Sequence, residues 1–533
     1  MDKIYYNGRI ITMDEQNPAA EAVAVKDGRF AFVGGNVEAL ALKTDHTELI
    51  DLQGAAVYPG LIDTHLHILN LAVTNRELVL DGIKSRAGFF DVVKCGVEKA
   101  KPEGVIDGRG FNEDLWDDKR LPTRKELDEI SPNRALRLTR VCGHLAVANS
   151  KLLKEMGVDE NTEVPEGGDM NLEMGWFMEN ALNLISRDEG DRGVALCKEL
   201  LLEGMTVAAD SGLTAIYSDD FGTYGFGFAT VAQAYRELAQ EGRMPVRVVQ
   251  QCAFPDKAGF DAFFDAGFAY QQGDDFYRIG PRKLYADGSL GARTAWLSVP
   301  YADATEKRGV PIYKQEELNA LAVDCHRRGM PFIVHAIGDA AAESVLTAVE
   351  FARKEVPDTD DLPDGIVHCQ ITSEHTLKRI AALHVQVYAQ PVFVEYDLHI
   401  CRDRVGETLE KTSYNWKTLL DSGVNLSSGS DCPVESLSPA GNIYCAVTRK
   451  DYDGKPSGGW LPEQRLTVHE AVACHTLNAA KAVALQDKLG CVRAGLLADL
   501  TVFPKDFATI SPEEILHQKP VMTVVNGNFR IIR

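Results

Sequence analysis

Short runs of β-type hydrophobic residues alternate with longer helix-like stretches through the middle of the chain. This alternation is typical of βα units and predicts an α/β fold with a parallel sheet. Eight of the runs have the pattern of strands, at residues 55–61, 205–209, 246–251, 283–286, 331–334, 366–368, 385–389 and 424–427. Eight βα units make a (β/α)8 barrel of the TIM type, which we predict for residues 59–484.

The first interval between candidate strands is much longer than the others. A barrel unit uses on the order of 31 residues, whereas the second candidate strand begins well over a hundred residues after the first. We therefore predict an insertion at about residues 78–190, directly after the first strand. Loops at that end of a barrel strand build active sites, so the insertion is a candidate lid over a substrate.

Both ends of the chain have a different pattern, in which short β-type runs are separated by tight turns. Asn7-Gly8, Asp27-Gly28 and Asn526-Gly527 are dipeptides typical of hairpin turns. Neither end is long enough to bury a good core alone. We therefore predict one small β-sandwich domain built from residues 1–58 together with residues 485–533.

Composition limits the classes of partner. The 533 residues include 56 Lys and Arg against 78 Asp and Glu, a formal net charge of −22, and no basic stretch. Binding to phosphates needs clustered basic residues, so neither nucleic acid nor a membrane is expected as a partner. A small-molecule substrate is the default ligand.

Targeting signals and cysteine motifs are also lacking in the sequence. No apolar run approaches the roughly 18 residues of a membrane span, and the first residues do not have the pattern of a secretory signal, which predicts a cytoplasmic protein. The 11 cysteines are scattered without C-x-x-C spacing. This disfavours a disulfide framework and a zinc knuckle.

Metal-ligand residues occur at the ends of several candidate strands. His65 and His67 are two positions apart in an extended segment, so their side chains point the same way. Alone, this pair could equally be two surface histidines. However, His335, His368 and Asp431 also follow apolar runs at the carboxyl ends of predicted barrel strands, where barrel enzymes carry their chemistry. This residue set suits a divalent transition metal, with zinc first by ligand type.

Five segments carry a resemblance that covers nearly the whole chain. They are PGLIDTHLH at 59–67, KLYADGSLGARTA at 283–295, VHAIGD at 334–339, VHCQ at 367–370 and GSDCPV at 429–434. They resemble motifs of the amidohydrolase superfamily, in the branch that includes the N-substituted formamide deformylases and the YtcJ-like hydrolases. The 283–295 segment is the most specific of the five.

The resemblance implies that Lys283 is a metal ligand as well. In two-metal members of the superfamily the corresponding lysine carries a carbamate that bridges two ions. Carried over, it implies that His65, His67 and Asp431 hold the more buried ion and that His335 and His368 hold the outer one. The implied cofactors are two divalent metal ions, zinc by expectation, bridged by carbamylated Lys283.

The implied reaction is hydrolysis of a carbon–nitrogen bond of amide or formamide type by a metal-activated hydroxide. Asp431 is the expected general base and later the proton donor to the leaving amine. The alternatives are a mononuclear metal-dependent deaminase and a catalytically inactive barrel that acts as a binding protein. A homodimer is implied by resemblance alone.

Two residues outside the ligand set are candidate substrate contacts. His144 lies in the predicted insertion, where it could contact a substrate or pack against a helix. Arg293 could bind a carboxylate through both arms of its guanidinium, or it could fix the loop after the fourth strand through Asp287.

Overall fold

Eight parallel strands, each hydrogen-bonded to the next, form the central sheet. The computed structural model describes residues 1–100, 105–140, 145–165, 168–185, 193–254 and 256–532. The eight strands, β1 to β8 in chain order, are Leu61–Leu66, Leu213–Asp219, Arg247–Ala253, Tyr277–Tyr285, Phe332–Ala336, Gly365–His368, Gln386–Ala389 and Leu426–Ser428. The last strand lies beside the first, where Ser427 Oγ is 3.2 Å from Thr64 Oγ1. The predicted (β/α)8 barrel is thereby confirmed.

Helices separate the strands along the chain. Those of at least nine residues in this part of the chain are Gly193–Asp210, Phe228–Gln240, Lys257–Asp265, Gln315–Arg327, Asp339–Glu355, Glu374–Ala382, Cys401–Glu410 and Pro439–Thr448. Shorter ones are Ile68–Thr74, Val394–Asp397, Trp416–Asp421, Val468–Cys474, Leu477–Ala482 and Pro512–Leu516. Among the residues that the structure describes, no helix combines the length and the apolar character needed to cross a membrane.

Two of the predicted strands are wrong in whole or in part. Residues 205–209 lie in the helix Gly193–Asp210, and β2 follows it at Leu213–Asp219. The apolar residues Leu200, Leu201, Met205 and Ala208 recur at helical spacing and are buried, so the helix buries a continuous face that a short strand would not. The run 55–61 is divided at Gly60: Ala56–Pro59 joins a sheet of the chain ends, and β1 begins at Leu61.

Both chain ends contribute to one small β structure, as predicted. A four-stranded sheet has the order Arg29–Gly34, Ala22–Lys26, Lys3–Tyr6, Glu48–Asp51. A six-stranded sheet has the order Asn528–Ile531, Met522–Val525, Leu500–Phe503, Ala56–Pro59, Arg9–Ile11, Ala19–Ala20. The two sheets are linked by Tyr5, whose hydroxyl donates to the Gly527 carbonyl at 3.2 Å.

Residues Ala72–Arg192 form a compact unit of their own. Its sheet has the order Gly168–Asn171, Trp176–Glu179, Leu145–Ala148, Leu136–Arg140, Ile106–Phe111, Leu78–Val79. Its helices are Arg86–Lys99, Arg124–Ile130 and Ser150–Met156. Phe89, Phe111 and Trp116 pack ring against ring in its core, with centroids 4.9 to 6.1 Å apart. The predicted insertion falls within this unit.

The two ends of the barrel interior differ in polarity. Ile62, Val249, Ile333 and Val367 are buried in one apolar cluster with residues of the segment 479–497. Inward-pointing residues at the opposite, carboxyl ends of the strands include His65, Lys283 and His368, all buried. The apolar end is a packed core, and the polar side chains that could carry chemistry lie at the carboxyl ends, where barrel enzymes have their active sites.

A buried ion pair joins the barrel to the chain ends. Arg247 of β3 donates to both carboxylate oxygens of Asp499, at 2.6 and 2.9 Å, and neither side chain is more than 4% exposed. Removing one partner leaves an uncompensated buried charge, so we expect Arg247→Met to lower the free energy of unfolding by about 3–5 kcal/mol. Denaturant titration monitored by circular dichroism measures this change in the free energy of unfolding.

The matched control is Arg530, which pairs with Asp210 through the same two nitrogens but is about half exposed. Arg530→Met should cost under about 1 kcal/mol. Equal costs for the two substitutions would contradict the importance of the buried pair.

Candidate metal centre

Three side chains meet at the junction of β1 and β8. His65 and His67 lie at the end of β1, and Asp431 lies in the turn after β8. One ligand atom from each lies within 4.8 Å of the others. Asp431 Oδ1 is 3.4 Å from His65 Nε2 and 3.2 Å from His67 Nε2. One carboxylate and two imidazole nitrogens so placed are a donor set suited to a divalent transition metal.

Two further histidines lie next to this cluster. The His368 ring, at the end of β6, has its centroid 5.8 Å from that of His65. The His335 ring, near the end of β5, is 4.4 Å from the His368 ring. His368 and Asp431 both have positive φ, +79° and +59°. Such backbone strain in non-glycine residues is concentrated at functional sites, where it directs a side chain.

The hydrogen bonds behind the histidines leave one nitrogen of each ring free for a metal. His65 Nδ1 donates to Gln251 Oε1 at 2.6 Å, and His368 Nδ1 donates to Gln390 Oε1 at 2.8 Å. His67 Nδ1 donates to the Asp219 carbonyl at 3.0 Å. A proton held on Nδ1 leaves the lone pair on Nε2, which is the usual arrangement of metal-binding histidines. The residues present therefore fit a metal ion.

His335 is held by its other nitrogen. Its Nε2 donates to the Gly288 carbonyl at 3.0 Å, which leaves Nδ1 as its ligand atom. The neighbouring Asp287 carboxylate accepts backbone N–H groups of Ile337 at 3.0 Å and of Gly338 and Trp296 at 2.8 Å. Asp287 thereby ties the loop after β4 to the loop after β5, and both loops fix His335.

Lys283 reaches the same place from β4. Its Nζ is 3.4 Å from His65 Nε2 and 3.9 Å from Asp219 Oδ2. The Lys283 side chain is 1% exposed, and Nζ lies 4.2 Å from the centroid of the Tyr285 ring. The structure thus brings Lys283 into contact with a histidine of the cluster.

Burial dominates the electrostatics of the cluster. It lowers the pKa of His65 and His335 well below the usual value, that of His368 to about 4, and that of Lys283. Burial also acts to lower the pKa of His67, but the Asp431 carboxylate raises it on balance. Conversely, burial would raise the pKa of Asp431, yet His67 and the other histidines hold it well below its usual range. Neutral imidazoles at His65, His335 and His368 beside an ionised Asp431 are the protonation states that metal ligation needs.

A buried carboxylate aligns the two strands that carry the cluster. Asp63 Oδ1 accepts the N–H of His65 at 3.1 Å, and Asp63 Oδ2 accepts the N–H of Ser430 at 3.0 Å. The N–H of Asp431 donates to the His65 carbonyl at 2.8 Å. Burial raises the pKa of Asp63 to about 7. Asp63 thus holds β1 and the turn after β8 in register where His65, His67 and Asp431 meet.

Of the two candidate substrate contacts, Arg293 is described and does not belong to the ligand cluster. Arg293 donates to both oxygens of Asp303, from Nε at 3.0 Å and from Nη2 at 2.7 Å. Its guanidinium is therefore occupied by a carboxylate of its own loop, and the partner of Arg293 is Asp303, not Asp287. His144 lies outside the described residues.

The sequence reasoning missed several residues that support the cluster. Gln251 lies on β3, and Gln390 directly follows β7. Both glutamines lie near the carboxyl ends of barrel strands, which is the same signal that identified the histidines. Asp219 ends β2 and was missed because the second strand was placed in the preceding helix.

Comparison with known proteins decides the family. A sequence profile described as the amidohydrolase family matches residues 48–531. The chain belongs to the amidohydrolase family. It is 30% identical to the putative amidohydrolase YtcJ of Bacillus subtilis over 99% of both chains. It is 27% identical to the N-substituted formamide deformylase of Arthrobacter pascens, over 100% of this chain and 98% of the relative.

A solved structure agrees with this assignment. An uncharacterized metal-dependent hydrolase from Pyrococcus furiosus has 28% identity and a TM-score of 0.78, over 95% of this chain and 100% of that one. This amidohydrolase is therefore an enzyme, a metal-dependent hydrolase acting on carbon–nitrogen bonds other than peptide bonds. The predicted family and reaction class are confirmed.

The glutamine behind His65 provides a test of the support around the ligands. Gln251 accepts from His65 and donates to the Thr64 carbonyl at 2.9 Å. Because such partners orient a ligand, we expect Gln251→Leu to weaken metal affinity about 10–100-fold. Competition with a chromophoric chelator measures it. Gln251→Glu, which keeps an acceptor for His65 Nδ1 but loses the donor to Thr64, should retain more affinity than the leucine variant. Unchanged affinity in the leucine variant would refute the role.

Proposed function

We propose that this amidohydrolase hydrolyses an amide or formamide-type bond of a small molecule at a centre made by His65, His67, Lys283, His335, His368 and Asp431. The observation that carries the proposal is the convergence of His65, His67 and Asp431, with His368 and His335 beside them. These residues come from β1, β5, β6 and the turn after β8. Only the barrel brings them together, at the end where barrel enzymes react.

The ligands divide into two groups in this proposal. His65, His67 and Asp431 hold one divalent ion, and His335 and His368 hold a second. Histidine nitrogens together with one aspartate carboxylate are donors that favour zinc. When bound, such ions would lower the pKa of a water molecule and polarise the carbonyl of a substrate.

Asp431 is the proposed proton carrier. Its Oδ1 faces both His65 and His67, and the carboxylate is buried and ionised. It accepts a proton from the attacking water and later donates that proton to the leaving amine nitrogen. General catalysis of this kind contributes about 10²–10⁴-fold to the rate.

Lys283 is the proposed bridge between the two groups, as a carbamate. An amine reacts with carbon dioxide only in its neutral form, and burial at this position favours that form. An unmodified ammonium would instead place a positive charge 3.4 Å from a histidine that is to bind a cation. A carbamate supplies two oxygens to the same place.

The substrate class follows from a relative and is open to direct test. The name of the relative from Arthrobacter pascens assigns it N-substituted formamides. We would assay the zinc-loaded enzyme with N-substituted formamides, N-acyl amines, cyclic amides and aminopurines, and detect released amine, carboxylate or ammonia. Release of an amine and a carboxylate supports the proposal. Ammonia from the aminopurines alone would identify a deaminase instead.

A cytoplasmic location and a homodimer stay predictions from the sequence. Size-exclusion chromatography with light scattering would measure the oligomeric state. Neither is required for the chemistry, because every proposed ligand comes from one chain.

A further inference from the structure

A carboxylate and a tyrosine lie together beside Lys283, outside the proposed ligand set. Asp219, the last residue of β2, is 3% exposed, and its Oδ2 accepts the Tyr285 hydroxyl at 2.7 Å. Tyr285 ends β4, two positions after Lys283. The same Asp219 oxygen is 3.9 Å from Lys283 Nζ. The proposed function so far gives this pair no task.

Carbamylation converts the amine of Lys283 into a planar group whose single N–H needs a hydrogen-bond acceptor. The neutral amine attacks carbon dioxide, a bond forms between Nζ and carbon, and one C–O π electron pair moves to oxygen. A proton leaves Nζ for water, so that the planar product keeps a single N–H. A buried N–H without an acceptor is costly, and its direction sets the plane of the carboxylate attached to it.

Asp219 is the acceptor within reach. It supplies the carboxylate nearest to Nζ, and among the described residues no other carboxylate comes within ion-pair distance of that atom. The other close acceptor, His65 Nε2, is needed for a metal ion in the proposed centre. Closing 3.9 Å to a hydrogen bond requires a movement of roughly 1 Å, which the lysine torsions can provide.

We propose that Asp219, anchored by Tyr285, accepts the N–H of carbamylated Lys283 and orients the carbamate toward the histidines. Asp219 is then a positioning residue, and this inference rests on the proposed function through the carbamate. The Asp219 backbone carbonyl separately fixes His67. That contact survives side-chain substitution, so a variant at this position keeps the hydrogen bond that orients His67.

Occupancy of the carbamate tests the inference without an activity assay. Zinc-loaded enzyme is titrated with isotopically labelled bicarbonate, and the carbamate carbon is quantified by NMR. We expect Asp219→Ala to raise the bicarbonate concentration for half-occupancy about 10–100-fold. Asp219→Asn, which keeps a neutral acceptor oxygen, should fall between this variant and the wild type, and Tyr285→Phe should shift the value a few-fold in the same direction.

The neighbouring residue provides a matched control. Asp220 is also buried and accepts a tyrosine hydroxyl, that of Tyr235 at 2.7 Å. Within the described structure its carboxylate also accepts the N–H of Leu69, and it makes no contact with Lys283. Asp220→Asn should leave half-occupancy at the wild-type value.

Each outcome is decisive. Carbamate in the wild type with unchanged half-occupancy in Asp219→Ala would overturn this inference and leave the proposed function standing. Absence of carbamate from the wild type would contradict the proposed bridge, and the inference with it. If circular dichroism shows that Asp219→Ala does not fold, Tyr285→Phe decides, and no shift in that variant counts against the inference.

Discussion

Asp431→Asn should lower kcat by roughly 10³-fold or more once a substrate is known. The substitution removes the proposed proton carrier and replaces a charged ligand by a neutral amide at 3.2 Å from His67. KM should change much less, because Asp431 is proposed to act on the water and the leaving amine. Steady-state kinetics with metal analysis of the same samples measures both effects.

Asp397 provides the control for this variant. It is another buried carboxylate at the same end of the barrel, bonded to the Tyr414 hydroxyl and absent from the ligand cluster. Asp397→Asn should keep much of the wild-type kcat. Wild-type turnover in Asp431→Asn, at full metal content, would exclude Asp431 as the general base.

Lys283→Ala should be the second variant with a large effect, a loss of roughly 10²–10⁴-fold in kcat. It removes the proposed bridging carboxylate from a site where the side chain is 1% exposed, and it leaves a cavity of lysine shape. A short carboxylate such as acetate can enter this space. We therefore expect partial recovery of activity in its presence.

Lys283→Arg is the matched variant for the rescue. It keeps the positive charge and fills the space, but it forms no carbamate under these conditions, so it should be inactive with or without acetate. An arginine variant as active as the wild type would show that a cation suffices at this position. The carbamate bridge would then be wrong.

The clustering of the histidines could be predicted because their signal is local. His65 and His67 share a face of one strand, and His335, His368 and Asp431 each follow or end an apolar run. The carboxyl ends of parallel strands meet at one end of a barrel, so strand-end position alone implies proximity. Knowledge of which strands are neighbours was not needed.

The residues behind the ligands depend on long-range geometry instead. Gln251 contacts a histidine that is 186 positions away in the chain, and nothing in the local sequence indicates which side chain it meets. Arg293 shows the same dependence in reverse. The guanidinium of Arg293 is suited to bind a substrate carboxylate, yet the loop conformation places Asp303 against it.

The misplaced second strand had a definite physical cause. The apolar run 205–209 is compatible with a buried strand or with one face of a helix. Its assignment is decided by the longer pattern of Gly193–Asp210, an 18-residue helix. Asp219 was therefore not predicted as a strand-end residue, because β2 ends ten residues after the predicted strand.

The most direct test of the two-metal centre is the metal content per chain. Elemental analysis would be made on protein purified without chelator and with bicarbonate present, for the wild type and for Lys283→Ala in parallel. We expect about two divalent ions in the wild type and about one in the variant. One ion in both would contradict the bridged centre, and none in either would contradict the proposed ligand set itself.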